Sequence, residues 1–236
     1  MNTKVALSIA AGLGAMAGYA FGEIPHGDPY TPLGSLDVDA KLVQTGSRPS
    51  LKWNIEFPRT AKDFVSLTAE DRLVAHVATR VEMRVVGMGL QSDAADLPAA
   101  LWSNVDGSNW KKLVYGSGED VGPPQVGFDG VVSAGQTIDL AARGRKEDGN
   151  WYDIRWTTQL DPGVTGLHSG DPVPDAAPAF QQGDVEDYLT SYVTDDARIS
   201  LGPNDVLYLF ELTSETPGES DFDLQDLAVV NTFSEP

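Results

Sequence analysis

Ala75-His76-Val77-Ala78-Thr79-Arg80-Val81-Glu82-Met83-Arg84-Val85 is the stretch that decides the fold class. Ala75, Val77, Thr79, Val81, Met83 and Val85 share one side of a two-residue period. His76, Ala78, Arg80, Glu82 and Arg84 take the other. That period belongs to a strand with one buried and one wet face; a helix would place its apolar residues three and four apart.

The same pattern extends in both directions. Upstream, Ser50–Phe57 sets Leu51, Trp53, Ile55 and Phe57 against Lys52, Asn54 and Glu56, and Leu36–Val43 precedes it across Gly46. Downstream, Trp110–Tyr115, Thr137–Ala142, Trp151–Thr158 and Leu227–Phe233 read as strands. Val206–Leu212 (VLYLFEL) is almost continuously apolar, as a strand covered on both faces would be. Asp106-Gly107, Asp129-Gly130 and Asp148-Gly149 are hairpin-type turn dipeptides. Many short strands between turn signals predict an all-β sandwich. One short helix is expected at 184–193, where Val185, Tyr188, Leu189, Tyr192 and Val193 form an apolar stripe behind Asp184 as cap.

The ends have a different character. Lys4 precedes an apolar, small-residue run from Val5 to Phe21, and cleavage after Ala20 or Gly22 fits a secretory signal peptide over residues 1–22. Residues 23–35 (EIPHGDPYTPLGS) hold three prolines and read as an extended arm or linker. The sandwich domain is then 36–236. These readings make the protein exported, to the periplasm, cell surface or extracellular space. The chain has no cysteine, so it has neither a disulfide framework nor thiolate chemistry, and its stability must come from packing.

Thirty-five acids against 16 Lys+Arg give a net charge of −19 in 236 residues. A nucleic-acid partner or an anionic membrane surface needs a cationic footprint, so neither is expected. The charge is uneven. Residues 157–236 carry one basic residue, Arg198, and 16 acids. Within this acidic half, Asp221, Asp223 and Asp226 form D-x-D-x-x-D, the site residues for a metal if there is one. Calcium takes six to eight such oxygens, but a mid-loop Gly and a terminal Glu are missing, so this is no EF-hand. A solvated acidic face is the plainer reading, with no cofactor at all.

The five tryptophans (53, 102, 110, 151, 156) make a glycan the other ligand class to weigh. Trp53 and Trp156 fall in apolar sets and are expected in the core, whereas Trp102, Trp110 and Trp151 lie near turns. His168-Ser169-Gly170-Asp171 gathers triad residue types in one loop, where turn chemistry explains them better than catalysis. No Gly-x-Ser-x-Gly elbow occurs.

Leu42-Val43-Gln44-Thr45-Gly46-Ser47-Arg48-Pro49-Ser50-Leu51-Lys52-Trp53-Asn54-Ile55 resembles the first two strands of immunoglobulin-like sandwiches, in which a Leu-x-Trp fills the core. Gly170-Asp171-Pro172-Val173-Pro174, Gly202-Pro203-Asn204-Asp205-Val206-Leu207-Tyr208-Leu209 and Asp223-Leu224-Gln225-Asp226-Leu227 resemble secreted proteins of the Verrucomicrobia. One relative of that group is encoded beside type IV pilus genes and is similar to archaeal pilin-like proteins of immunoglobulin-like fold. The resemblance implies an immunoglobulin-like β-sandwich in the cell envelope and supplies no catalytic motif. It departs from a filament-core pilin where the chain after Gly22 turns Pro-rich and polar. The expected function is a secreted, non-enzymatic structural or adhesive envelope protein, associated with a pilus or surface assembly through a protein partner or self-association. The alternatives are a calcium-dependent carbohydrate-binding module and a hydrolase built on the acidic half.

Overall fold

The computed structural model describes residues 33–38, 51–56, 59–92, 95–118, 125–176, 189–214, 216–219 and 221–236. The expected leader, 1–22, and the expected arm as far as residue 32 lie outside them. The chain divides into two compact units between Pro58 and Arg59, whereas the sequence reading ran one sandwich from residue 36. In the first unit β1 (Leu33–Val38) pairs antiparallel with β2 (Leu51–Glu56), with Leu36 opposite Trp53. β1 therefore begins inside the stretch read as an arm. The Leu51-x-Trp53 pattern belongs to this two-stranded sheet and to neither larger sheet.

The second unit opens with a short helix, α1 (Ala61–Phe64), capped by Thr60, whose N–H donates to Asp63 Oδ2 at 2.8 Å. There follow β3 (Val65–Leu67), β4 (Leu73–Ala75), β5 (Thr79–Met88), β6 (Ala99–Val105), β7 (Lys111–Gly116), β8 (Gln125–Val132), β9 (Thr137–Gly144), β10 (Arg155–Trp156), β11 (Val164–His168), β12 (Asp205–Phe210) and β13 (Leu227–Ser234). A six-stranded sheet runs β3-β4-β9-β6-β7, with β10 beside β4 along β9; a five-stranded sheet runs β11-β12-β13-β5-β8. Every pairing is antiparallel. The all-β, sandwich-like class read from the sequence is the one observed.

The deciding stretch serves both sheets. Ala75 ends β4 in one sheet, the chain bends at His76–Val77, and Thr79 starts β5 in the other. Its apolar side continues into one core, where Val81, Met83 and Val85 of one sheet meet Ala75, Leu101, Ile138 and Leu140 of the other. The run at 206–212 is buried on both faces, as its composition predicted. Val206, Tyr208, Phe210 and Leu212 join the core between the sheets, while Leu207 and Leu209 join a second cluster with Leu189, Ile199, Phe222 and Leu224.

That second cluster explains a correction. Of the helix expected at 184–193, residues 184–188 lie outside the described residues, and the remainder is a 3₁₀ turn at Thr190–Tyr192. Val193 is extended and bridges Ile199. Leu189 and Val193 find apolar cover beneath β12 without a helix, and a helix this short has little of its own to offset nucleation. Among the described residues the α-helix is at Ala61–Phe64.

The turn dipeptides divide. Asp106 and Gly107 both take positive φ (57° and 66°), the geometry of a type I′ hairpin, and join β6 to β7. Asp129-Gly130 is no turn: it lies inside β8, and Asp129 binds Arg80 across to β5 at 2.6 Å.

Candidate functional site

The expected metal ligands do not act as a set. Asp226 is buried, and its Oδ2 accepts the Leu212 N–H at 2.6 Å. Asp223 is half-buried and accepts the Gln225 N–H at 2.9 Å. Asp221 is exposed, and its backbone carbonyl accepts from Thr213 Oγ1 at 3.4 Å. Among the described residues no three His, Asp or Glu side chains gather as a cation site.

What organises this region is Glu211, which sequence reading passed over as part of an apolar run. Glu211 is fully buried. Its Oε1 accepts the Thr213 N–H (2.7 Å), the Thr213 hydroxyl (2.6 Å) and the Ser214 N–H (2.9 Å). Its Oε2 accepts the N–H groups of Asp223 (2.9 Å) and Leu224 (3.4 Å). Both oxygens are thus occupied in tying Thr213 and Ser214 to Asp223 and Leu224 in one knot. Arg155, also buried, donates to the carbonyls of Glu211 (3.0 Å) and Ser214 and pairs with Asp161 at 3.7 Å.

The neighbouring acids respond to this crowding. Burial, then repulsion from Glu211 and Asp223, pushes Asp226 well above the usual carboxylate range. Asp223 is pushed up to about 6, again mainly by burial and against the Gln225 N–H bond that lowers it. The signal was present in the sequence: a lone carboxylate inside VLYLFEL has to be buried, and a buried carboxylate has to be answered by donors.

The loop at 168–171 likewise uses its polar groups locally. Asp171 Oδ2 accepts the His168 N–H at 2.7 Å, and Ser169 Oγ accepts the Leu201 N–H at 3.2 Å. Burial pulls the His168 imidazole below its ordinary value.

A second region was only partly legible. On the outward face of the six-stranded sheet, β6 sets Ala100 between Tyr115 of β7 and Arg143 of β9. Trp102 follows two residues later on the same face, opposite Lys112. The small side chain at Ala100 leaves a depression of about 340 Å³, walled by Trp102, Lys112, Tyr115, Arg143 and Trp151. Trp151 arrives there by way of a tight turn. Asp148 Oδ1 accepts the Asn150 N–H at 2.8 Å, Gly149 takes φ 84°, and Trp151 bridges back to Arg145.

The Arg143 guanidinium lies 4.3 Å from the Trp151 ring centroid and 5.6 Å from that of Trp102. Its Nε is buried and makes no hydrogen bond. Lys112 sits 5.5 Å from the Tyr115 ring, and Arg145 donates to the Tyr115 hydroxyl at 3.2 Å. Tyr115 is 45% exposed. Two of the remaining three tryptophans meet elsewhere: Trp156, expected in the core, is half-buried and packs edge-on against Trp110 at 4.9 Å. The side chain of Trp53 lies outside the described residues.

Among the described residues no helix is long and apolar enough to cross a membrane. No protein-family model matches the chain, and no curated protein or solved structure matches it either.

Proposed function

We propose that this is an exported, non-enzymatic structural or adhesive protein of the cell envelope, which holds a partner on its sandwich surface at a pilus or comparable assembly. The observation that carries the reading is the aromatic groove at Trp102, Tyr115 and Trp151, where large rings face outward instead of filling the core. Strand β8 adds support for protein contact or self-association. It is an edge of the five-stranded sheet, and Val126 and Val131 on it are 57% and 61% exposed. The resemblance to pilin-like envelope proteins points to the same location and to an immunoglobulin-like sandwich. Photo-crosslinking on intact cells, with the crosslinker at Tyr115 and at Val131, tests the reading. A discrete crosslinked product in the envelope fraction is expected. An uncrosslinked monomer, or a chain retained in the cytoplasm, overturns it.

The groove also favours a second reading, a carbohydrate-binding module, with its rings as the sugar platform. Calorimetry with neutral and acidic oligosaccharides decides it: heat that Tyr115→Ala abolishes supports the module, and no heat with any of them ends it.

A further inference from the structure

The described arginines of this acidic protein fall into two groups. Arg59, Arg72, Arg80, Arg84, Arg155 and Arg198 each reach a carboxylate. Among the described residues Arg143 and Arg145 reach none, although 35 acids are available. Arg145 contacts neutral oxygens, those of Gly149 and Tyr115. Arg143 lies against two indole rings with its Nε unpartnered. The lining of the groove contains two cations, Arg143 and Lys112, and no carboxylate. A guanidinium flanked by rings is held in place before any ligand arrives, so little freedom remains to be lost on binding.

The geometry points to a carboxylated sugar, a uronic-acid unit of a glycan, as the ligand of the groove formed by Ala100, Trp102, Lys112, Tyr115, Arg143 and Trp151. This rests on the surface-binding reading above and names its ligand class. The exposed Tyr115 ring offers an apolar face to pyranose C–H groups. With its Nε buried, Arg143 would meet a carboxylate through its two Nη groups, and Lys112 adds a second cation across the groove. A volume of about 340 Å³ lies at the lower end of small-ligand sites, ~300–1,000 Å³, which suits one or two sugar rings. One carboxylate is also a ligand that a chain of net charge −19 tolerates better than a densely charged polymer.

Calorimetry on the full chain with trigalacturonate tests the inference, alongside its fully methyl-esterified form and tri-glutamate. The ester keeps the rings and removes the charge; the peptide keeps the charge and removes the rings. Trigalacturonate is expected to bind at least tenfold tighter than either, and to weaken severalfold between 20 and 500 mM salt as screening grows. Arg143→Gln is expected to cost at least tenfold in trigalacturonate affinity and to leave the ester unchanged. Lys112→Gln, at an exposed position, is expected to cost severalfold with an unchanged melting curve, which keeps the test valid if Arg143→Gln folds poorly. No heat with trigalacturonate, equal affinity for the ester, or equal affinity for tri-glutamate overturns the inference. Tight binding of the ester alone removes the acidic ligand and leaves the adhesive reading standing. That reading fails separately, by the absence of an envelope partner in the crosslinking experiment.

Discussion

The knot at residues 211–226 and the groove around Ala100 handle charge in opposite ways. In the knot, the carboxylates of Glu211, Asp223 and Asp226 face inward, and backbone N–H groups answer them. In the groove, Arg143 and Lys112 face aromatic rings and have no carboxylate in the lining. The abundant charge is used to fold a loop; the scarce charge is left open. In a strongly acidic protein, therefore, the crowded acids are weak evidence for a ligand site. A cation that pairs with none of the described acids is stronger evidence.

The widest test of this contrast is Glu211→Ala, which strands buried donors in the knot. It is expected to cost about 4 kcal/mol in urea denaturation; a cost below about 1 kcal/mol would show that the knot does not depend on its central carboxylate. Arg155→Met comes next, at about 3 kcal/mol, because it leaves Asp161 buried without its cation and the Glu211 and Ser214 carbonyls without their donor.

A smaller effect is expected from pH. Asp223 and Asp226 have folded pKa values above the ordinary 3.8, so the folded chain holds more protons than the unfolded one in that interval. Their stabilising contribution is complete below about pH 3.8 and is lost as pH rises through the raised folded values, about 6 for Asp223 and well above the ordinary range for Asp226. Asp226→Asn keeps an acceptor for Leu212 and places a donor beside Glu211. It is expected to flatten the fall in melting temperature between pH 4 and pH 8 and to gain about 1 kcal/mol at pH 8. A slope identical to that of the parent chain would remove the acid cluster from the explanation. Arg143→Gln should have the least effect on stability, below about 1 kcal/mol. A loss of 3 kcal/mol there would make Arg143 a structural residue like Arg155 and dissolve the contrast.

The sheet pattern was readable because side-chain alternation is local. Val81, Met83 and Val85 face the core because a strand has a period of two, whatever it pairs with. Turn chemistry was readable at Asp106-Gly107 and Asp148-Gly149, where the backbone needs positive φ. It misled at Asp129-Gly130, because pairing with β5 and the ion pair to Arg80 hold that dipeptide extended. The stripe at 189–193 misled in a related way: its apolar residues mark what must be covered, and the cover came from β12 and not from a helix of their own. Asp221, Asp223 and Asp226 were identified as a motif, but their spacing does not say that Glu211 would arrive from the preceding strand and set the direction of the loop.

Composition and periodicity alone determined that this chain is all-β, cysteine-free and acidic, with the apolar run at 206–212 buried on both sides. Those properties follow from residue type and the two-residue repeat, which need only near neighbours along the chain. Tertiary structure alone decided where the bend at His76–Val77 sends the chain, which acids meet, and that Trp102, Tyr115, Arg143 and Trp151 share one depression. These residues come from three strands and a turn, and their meeting depends on strand order and register, which long-range pairing sets and local sequence does not encode.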